Sequence, residues 1–206
     1  NIVYPLLGFD NMIFKDAFTS PKKIRNYISD ESAFQKIIDL YEEKGADDRL
    51  FTFEVTMQNH GGYSKDTDDF EESVYLTDEL SQGTQVRAAE KYLTLIQKSD
   101  EAFQELVEYF EKEKEPTIIL MFGDHQPSDY ITNVILRELG LNRDESQDVY
   151  FDNYIVPYIM WANYEMDTTQ TENISLNYLG GLLMEKAGIG LTGYQQFLKE
   201  MQTQFP

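Results

Sequence analysis

The feature that most limits the folds open to this chain is its alternation of short apolar runs with helical stripes. The run "RLFTFEVTM", residues 49–57, reads as a buried strand, and so does "TIILMFGD", residues 117–124, which follows Pro116. A third strand candidate, "NYIVPYIMWAN", carries Pro157, which implies an edge position or an irregularity. Between and around them lie helical segments. "SDESAFQKIIDLYEEKG" opens with Ser29 or Asp30 as N-cap, places Phe34, Ile37, Ile38 and Tyr41 on one face, and stops at Gly45. Residues 84–114 put Val86, Ala89, Leu93, Ile96, Phe103, Val107 and Phe110 at steps of three and four, the stripe of a long amphipathic helix that also takes in Asp100. Burial of an unpaired carboxylate there is costly, so Asp100 is expected either to meet a donor or to sit at a local exposure. "PSDYITNVILRELG" reads as a short helix capped by Ser128 or Asp129, and "ISLNYLGGLLMEKAG" and "TGYQQFLKEM" as two more. The alternation predicts an α/β domain with a mainly parallel sheet flanked by helices.

In such sheets the functional site lies outside the carboxyl ends of the strands. Two polar stretches fall there, "TMQNHGGY" and "FGDHQPS", and they hold the only two histidines of the chain, His60 and His125. Asp124 and His125 pair a hard oxygen with an imidazole nitrogen, a donor set suited to Mn²⁺, Zn²⁺ or Mg²⁺, with Gly123 expected to let the backbone turn. The alternative is a polar turn with no ligand. His60 can ligate a metal as neutral imidazole, hold a phosphate oxygen as imidazolium, or simply hydrogen-bond its own turn.

Composition narrows the partners. With 17 Lys and Arg against 37 Asp and Glu the net charge is −20, which disfavours nucleic acid and requires a local cation wherever an anionic substrate binds. Cysteine is absent, so disulfides and thiolate zinc sites are excluded. With 206 residues and 41% hydrophobic content the chain is long enough for a core that removes roughly 70% of the unfolded surface from water. No apolar run approaches the ~20 residues of a membrane span. The chain opens on "NIVYPLLGFD" without an initiator Met, as a piece of a longer protein does. Among other candidates, "DTDDFEE", Asp66 to Glu72, lacks the ligand spacing of a calcium loop and reads as a solvated acidic loop, and no "GxSxG" elbow offers a hydrolase serine.

"YPLLGFD", "YISDESAFQKII", "FTFEVTMQNHGGY", "FGDHQPS", "VPYIMWAN" and "ISLNYLGGLLMEKAGI", in that order, resemble the carboxyl-terminal part of the sulfatase-like domain of lipoteichoic acid synthase and related phosphoglycerol transferases of the alkaline phosphatase superfamily. The resemblance covers nearly the whole chain, taken as one incomplete domain over residues 1–206, although the usual form of the first histidine motif is closer to "NHGPY", so Gly62 stands where a proline is usual. It implies a membrane-anchored enzyme on the extracellular face of a Gram-positive cell membrane, whose threonine nucleophile takes glycerol phosphate from phosphatidylglycerol and passes it to a glycolipid or a growing polymer. It further implies one divalent metal, typically manganese, with Asp124 and His125 among its ligands, and His60 in contact with the substrate phosphate.

The threonine nucleophile, the first acidic ligand and an Arg-bearing substrate motif of that family all precede "YPLLGFD", so the 206 residues alone are expected to be catalytically inert and to bind metal weakly. Competing expectations are a sulfatase or another phosphoesterase of the same superfamily, separated by the identity of the nucleophile, and a non-catalytic surface domain that keeps only the fold. A cytosolic two-metal mutase needs more histidines than this chain has.

Overall fold

The computed structural model describes residues 2–63, 69–76, 84–139, 154–167 and 173–204. It divides into two compact units, one built from Asn1–Glu108 and His125–Ile155 and the other from Tyr109–Asp124 and Val156–Pro206.

In the first unit a short helix, α1 (Val3–Leu6), and a 3-10 turn at Lys15–Ala17 lead into a hairpin of β1 (Lys23–Ile24) and β2 (Tyr27–Ile28). The hairpin is antiparallel, with Ile24 opposite Tyr27. Its two-residue turn, Arg25 and Asn26, has φ of +54° and +69°. Positive φ at both central positions is the mirror-image turn whose twist matches that of the flanking strands, and asparagine tolerates it well. Helix α2 (Asp30–Glu43) follows at once, with Ser29 as N-cap accepting from the Ser32 amide and with Asp30 and Glu31 in the first turn, where the helix dipole favours negative charge. Ala33, Phe34 and Ile38 form its buried face.

Helix α3 (Thr84–Glu111) supplies most of the core of the first unit. Val86, Ala88, Ala89 and Leu95 pack with Ile24, Tyr63 and, from α4 (Asp129–Glu138), Ile131 and Val134. Phe103 meets Phe34 of α2 edge-on at 6.5 Å between ring centroids. The buried face of α3 keeps Val86, Ala89, Phe103 and Phe110 of the stripe read in the sequence and departs from it in between. Leu95, Ser99, Ala102, Leu106 and Phe110 are buried, whereas Ile96 is 40% exposed and Asp100 lies in solvent. The departure is confined to the middle of the helix, where Leu95 and Ser99 are buried in place of Ile96 and Asp100, and the carboxylate question passes from Asp100 to the buried position beside it, Ser99.

In the second unit β3 (Ile118–Phe122) pairs antiparallel with β4 (Tyr158–Ala162), Ile118 opposite Ala162 and Phe122 opposite Tyr158. Asn163 closes one end of this pair. Its Oδ1 accepts from the Thr117 amide at 2.8 Å and its Nδ2 lies within 3.1 Å of the carbonyls of Phe110, Glu113 and Glu115, which gathers the last turn of α3 and the segment after it onto one side chain. Pro157 sits immediately before β4, where its missing N–H costs nothing, and its carbonyl accepts from the Gly123 amide at 3.1 Å. Helices α5 (Leu176–Lys186, N-cap Ser175) and α6 (Gly193–Gln202, N-cap Thr192) pack together, Gly181 facing Gln195 and Lys199 paired with Glu185.

The sequence expectation of a mainly parallel sheet is not met among the described residues, whose two sheets are two-stranded and antiparallel. The segment 49–57 is likewise not a buried strand. It has no strand partner among the described residues, and Phe51, Phe53, Val55 and Met57 are 42–68% exposed. Alternating β-branched and aromatic residues record the capacity to sit in a sheet, but a strand exists only when a neighbour completes its ladder.

Candidate functional site

The first histidine loop is built on a buried polar network. Met57–His60 is a turn closed by the His60 amide donating to the Met57 carbonyl at 3.1 Å. Gln58, 1% exposed, accepts at Oε1 from the backbone amide of Asp30 at 3.0 Å and donates from Nε2 to Ser99 Oγ at 3.2 Å. Asn59 Nδ2 donates to the same oxygen at 2.8 Å, and the Ser99 hydroxyl donates to the Asp30 carboxylate. A serine hydroxyl offers one donor and two acceptor sites, so Ser99 is saturated by these three partners. Asp30 is 1% exposed, and burial raises its pKa above the ordinary value against the lowering effect of hydrogen bonds from Ser99 and Thr56. Burial raises Glu54 as well, with the charge of Asp30 adding to it.

The other end of the loop is fixed by Tyr63, whose hydroxyl donates to the Asn59 carbonyl and whose ring meets Tyr92 edge-on at 5.7 Å. Burial is the main reason that its phenol is pushed up to about 12, so it stays a hydrogen-bond donor at any physiological pH. Arg25 of the hairpin turn lies 4.6 Å over the Tyr63 ring and donates from Nη2 to the carbonyls of His60 and Gly61, both at 3.2 Å. Its own amide donates to Asp69 Oδ1 at 2.7 Å, which gives one residue of the acidic stretch a structural task; residues 66–68 of that stretch lie outside the described residues. Gly62 has φ +107°, a conformation closed to proline, whose ring holds φ near −65°. The loop thus follows a path that the "NHGPY" form cannot take at this position. His60 itself is exposed, its Nδ1 3.4 Å from the Tyr27 hydroxyl and its ring 5.9 Å from the Tyr27 ring.

The second loop leaves β3 at Phe122. Gly123 does not have the positive φ that the sequence expectation invoked; what marks the position is tight space, since a Cβ on it would lie 3.2 Å from Val156 Cβ. Asp124 and His125 follow, both exposed. His125 Nδ1 is 2.7 Å from the Gln126 carbonyl oxygen. A carbonyl only accepts, so Nδ1 bears the proton in the neutral ring and the lone pair falls on Nε2, the arrangement that orients a histidine for a metal. Gln126 is tied in turn by Nε2 donating to the Ile155 carbonyl at 2.9 Å. The donor types of Asp124 and His125 therefore fit a divalent cation. Their number does not complete a site, since among the described residues no three His, Asp or Glu side chains gather to hold one.

Sequence reasoning missed Arg25, Tyr27, Asp30 and Ser99. The signal for the first two was available in "KIRNYI", two polar residues with an asparagine between strand formers, which is a hairpin pattern.

The sulfatase family pattern matches residues 1–189. The chain belongs to the sulfatase family. Its residues align at 26% identity over 95% of the chain with a protein of Rhizobium meliloti (strain 1021) described as "Putative cyclic beta-1,2-glucan modification protein", and at 27% over 60% of the chain with the capsular polysaccharide biosynthesis protein RkpI of the same organism. This sulfatase-family chain spans 30% and 20% of the lengths of those relatives. Its fold superposes on the Streptococcus pyogenes phosphoglycerol transferase GacH, solved in complex with sn-glycerol-1-phosphate, with a TM-score of 0.64 at 20% identity, over 96% of the chain and 48% of GacH. The sulfatase-like fold and the resemblance read from "QNHGGY" and "GDHQP" thus meet in one family. No helix among the described residues is long and apolar enough to cross a membrane.

Proposed function

We propose that the polypeptide carrying this chain is a metal-dependent phosphoglycerol transferase of the sulfatase family. In this reading it moves glycerol phosphate from the headgroup of phosphatidylglycerol to a glycolipid or cell-envelope polymer on the extracellular face of the membrane. The observation that carries the reading is the seat of His125, its Nδ1 2.7 Å from the Gln126 carbonyl oxygen and its Nε2 thereby left to a ligand, directly after the Asp124 carboxylate at a strand end. The fold shared with a phosphoglycerol transferase and the polysaccharide-related names of two relatives favour this substrate class over a sulfate ester.

Asp124 and His125 would supply two ligands to manganese or another divalent cation such as Mg²⁺ or Zn²⁺. When bound, that cation polarises a phosphoryl oxygen and lowers the pKa of the attacking hydroxyl. His60 contacts the transferred phosphate: with Tyr27 at Nδ1, its Nε2 is the nitrogen that can donate to a phosphoryl oxygen as negative charge builds. The network of Asp30, Gln58, Asn59 and Ser99 holds that loop so that the contact is made without reorganisation. In a chain of net charge −20 a cation held by Asp124 and His125 would be what admits an anionic lipid headgroup. The nucleophilic threonine and the remaining ligands come from elsewhere in the polypeptide in this reading, and the 206 residues by themselves are inert.

The test is turnover. The full-length polypeptide with Mn²⁺ is expected to release diacylglycerol from vesicles containing phosphatidylglycerol and to leave aryl sulfates intact, and His60→Ala to lower kcat/KM by at least about a hundredfold. Sulfate ester hydrolysis without diacylglycerol release would replace this reading with the sulfatase one.

A further inference from the structure

We propose that Arg25, in the turn of the β1–β2 hairpin, is the positioning residue of His60. This rests on the reading of His60 as the phosphate contact. The carbonyls of His60 and Gly61 are successive along the chain yet converge on a single nitrogen, Arg25 Nη2, at 3.2 Å each. Two peptide dipoles that aim their negative ends at one point repel each other, so the arrangement needs a cation there. Nη2 carries two protons and meets two acceptors, a match that a planar guanidinium provides in a fixed geometry and an ammonium does not.

Arg25 is itself held from three sides. Its backbone sits at φ +54° in the tight turn, its amide donates to Asp69, and its guanidinium lies 4.6 Å from the centroid of the Tyr63 ring and 5.9 Å from that of Tyr27. Tyr27 is the residue whose hydroxyl meets His60 Nδ1, so the same hairpin grips the histidine by its main chain through Arg25 and by its ring through Tyr27. Gly62 completes the fit: an added Cβ would lie 3.6 Å from Nη2, and the φ of +107° that swings the chain past the guanidinium is strained for any other residue. The buried network under Gln58 and Asn59 fixes the base of the loop, whereas Arg25 fixes its tip, where the imidazole is carried.

Two measurements on the full-length polypeptide test this. In histidine-labelled protein, with the His60 resonance assigned by its loss in His60→Ala, Arg25→Gln is expected to shift or broaden His60 while His125 stays in place, and Arg25→Lys to move it less. An unmoved His60 overturns the proposal, and so does equal disturbance of both histidines, which marks a general loss of structure. In titrations with glycerol phosphate, Arg25→Gln is expected to weaken binding by about tenfold in the native background and hardly at all in His60→Ala, because the cation acts through the histidine. Equal weakening in both backgrounds shows that Arg25 acts independently and overturns the proposal. Binding that is untouched by His60→Ala refutes the role of His60 in the proposed function, and the resonance measurement then judges Arg25 alone.

Discussion

Replacing Ser99 with alanine deletes one hydroxyl and unbalances a buried network. The Asp30 carboxylate, 1% exposed, loses the donor held by Ser99 and is left with the hydrogen bond from Thr56. The Asn59 amide loses its acceptor, while Gln58 keeps the Leu95 carbonyl at 3.4 Å. A hydrogen bond to a charged group contributes about 1.5–3 kcal/mol and an abandoned buried amide costs about 1–3 kcal/mol, so Ser99→Ala is expected to destabilise by about 3–5 kcal/mol at neutral pH. The loss depends on pH in a definite sense. Because burial lifts the folded-state pKa of Asp30 above its ordinary value of 3.8, the contribution of its protonation is complete below that value and is lost as pH rises through the folded-state pKa. Removing Ser99 removes a hydrogen bond that lowers this pKa, so the folded-state value climbs further and the stability gap between variant and parent widens from about pH 4 upward. Urea titrations followed by circular dichroism, run on both proteins at a series of pH values, measure the gap, and Asp30→Asn is expected to flatten its pH dependence. A gap under about 0.5 kcal/mol at neutral pH, or one of equal size in acid, refutes the network as described.

Two glycine substitutions probe the loops. In the full-length polypeptide Gly62→Pro is expected to abolish the proposed phosphoglycerol turnover, since φ +107° is unreachable for proline, and Gly62→Ala to cost about 1–3 kcal/mol in thermal unfolding. Gly123→Ala places a methyl 3.2 Å from Val156 Cβ and is expected to cost about 1–3 kcal/mol, recovered in part by Val156→Ala; additive losses in the double variant would show that the crowding lies elsewhere.

Helix content was legible because caps and stripes act locally. Ser29 is the N-cap, one of the two residues the sequence offered for it, and the expected helices at residues 29–45, 84–114, 174–188 and 192–201 are all present. Sheet content was less legible, because "FTFEV" and "TIILM" look alike in composition and only the second finds a partner, β4, among the described residues. The two histidine loops could be placed from the sequence because each closes an apolar run. What holds the first of them could not: Asp30 and Ser99 are 69 residues apart, and polar residues in α2 and α3 read as solvent-facing until the packing of the helices brings them together. Arg25 was hidden for the same reason, since its partners at His60 and Gly61 lie 35 and 36 residues further on.

Asp124 and His125 are proposed as ligands of a metal-dependent phosphoryl-transfer site. Manganese titration of the full-length polypeptide tests this most directly. The native protein is expected to bind one ion, and Asp124→Ala and His125→Ala each to weaken that binding by about tenfold to a hundredfold or more, with the fold retained by circular dichroism. Unchanged manganese affinity in both variants would contradict the assignment and return "GDH" to a polar turn.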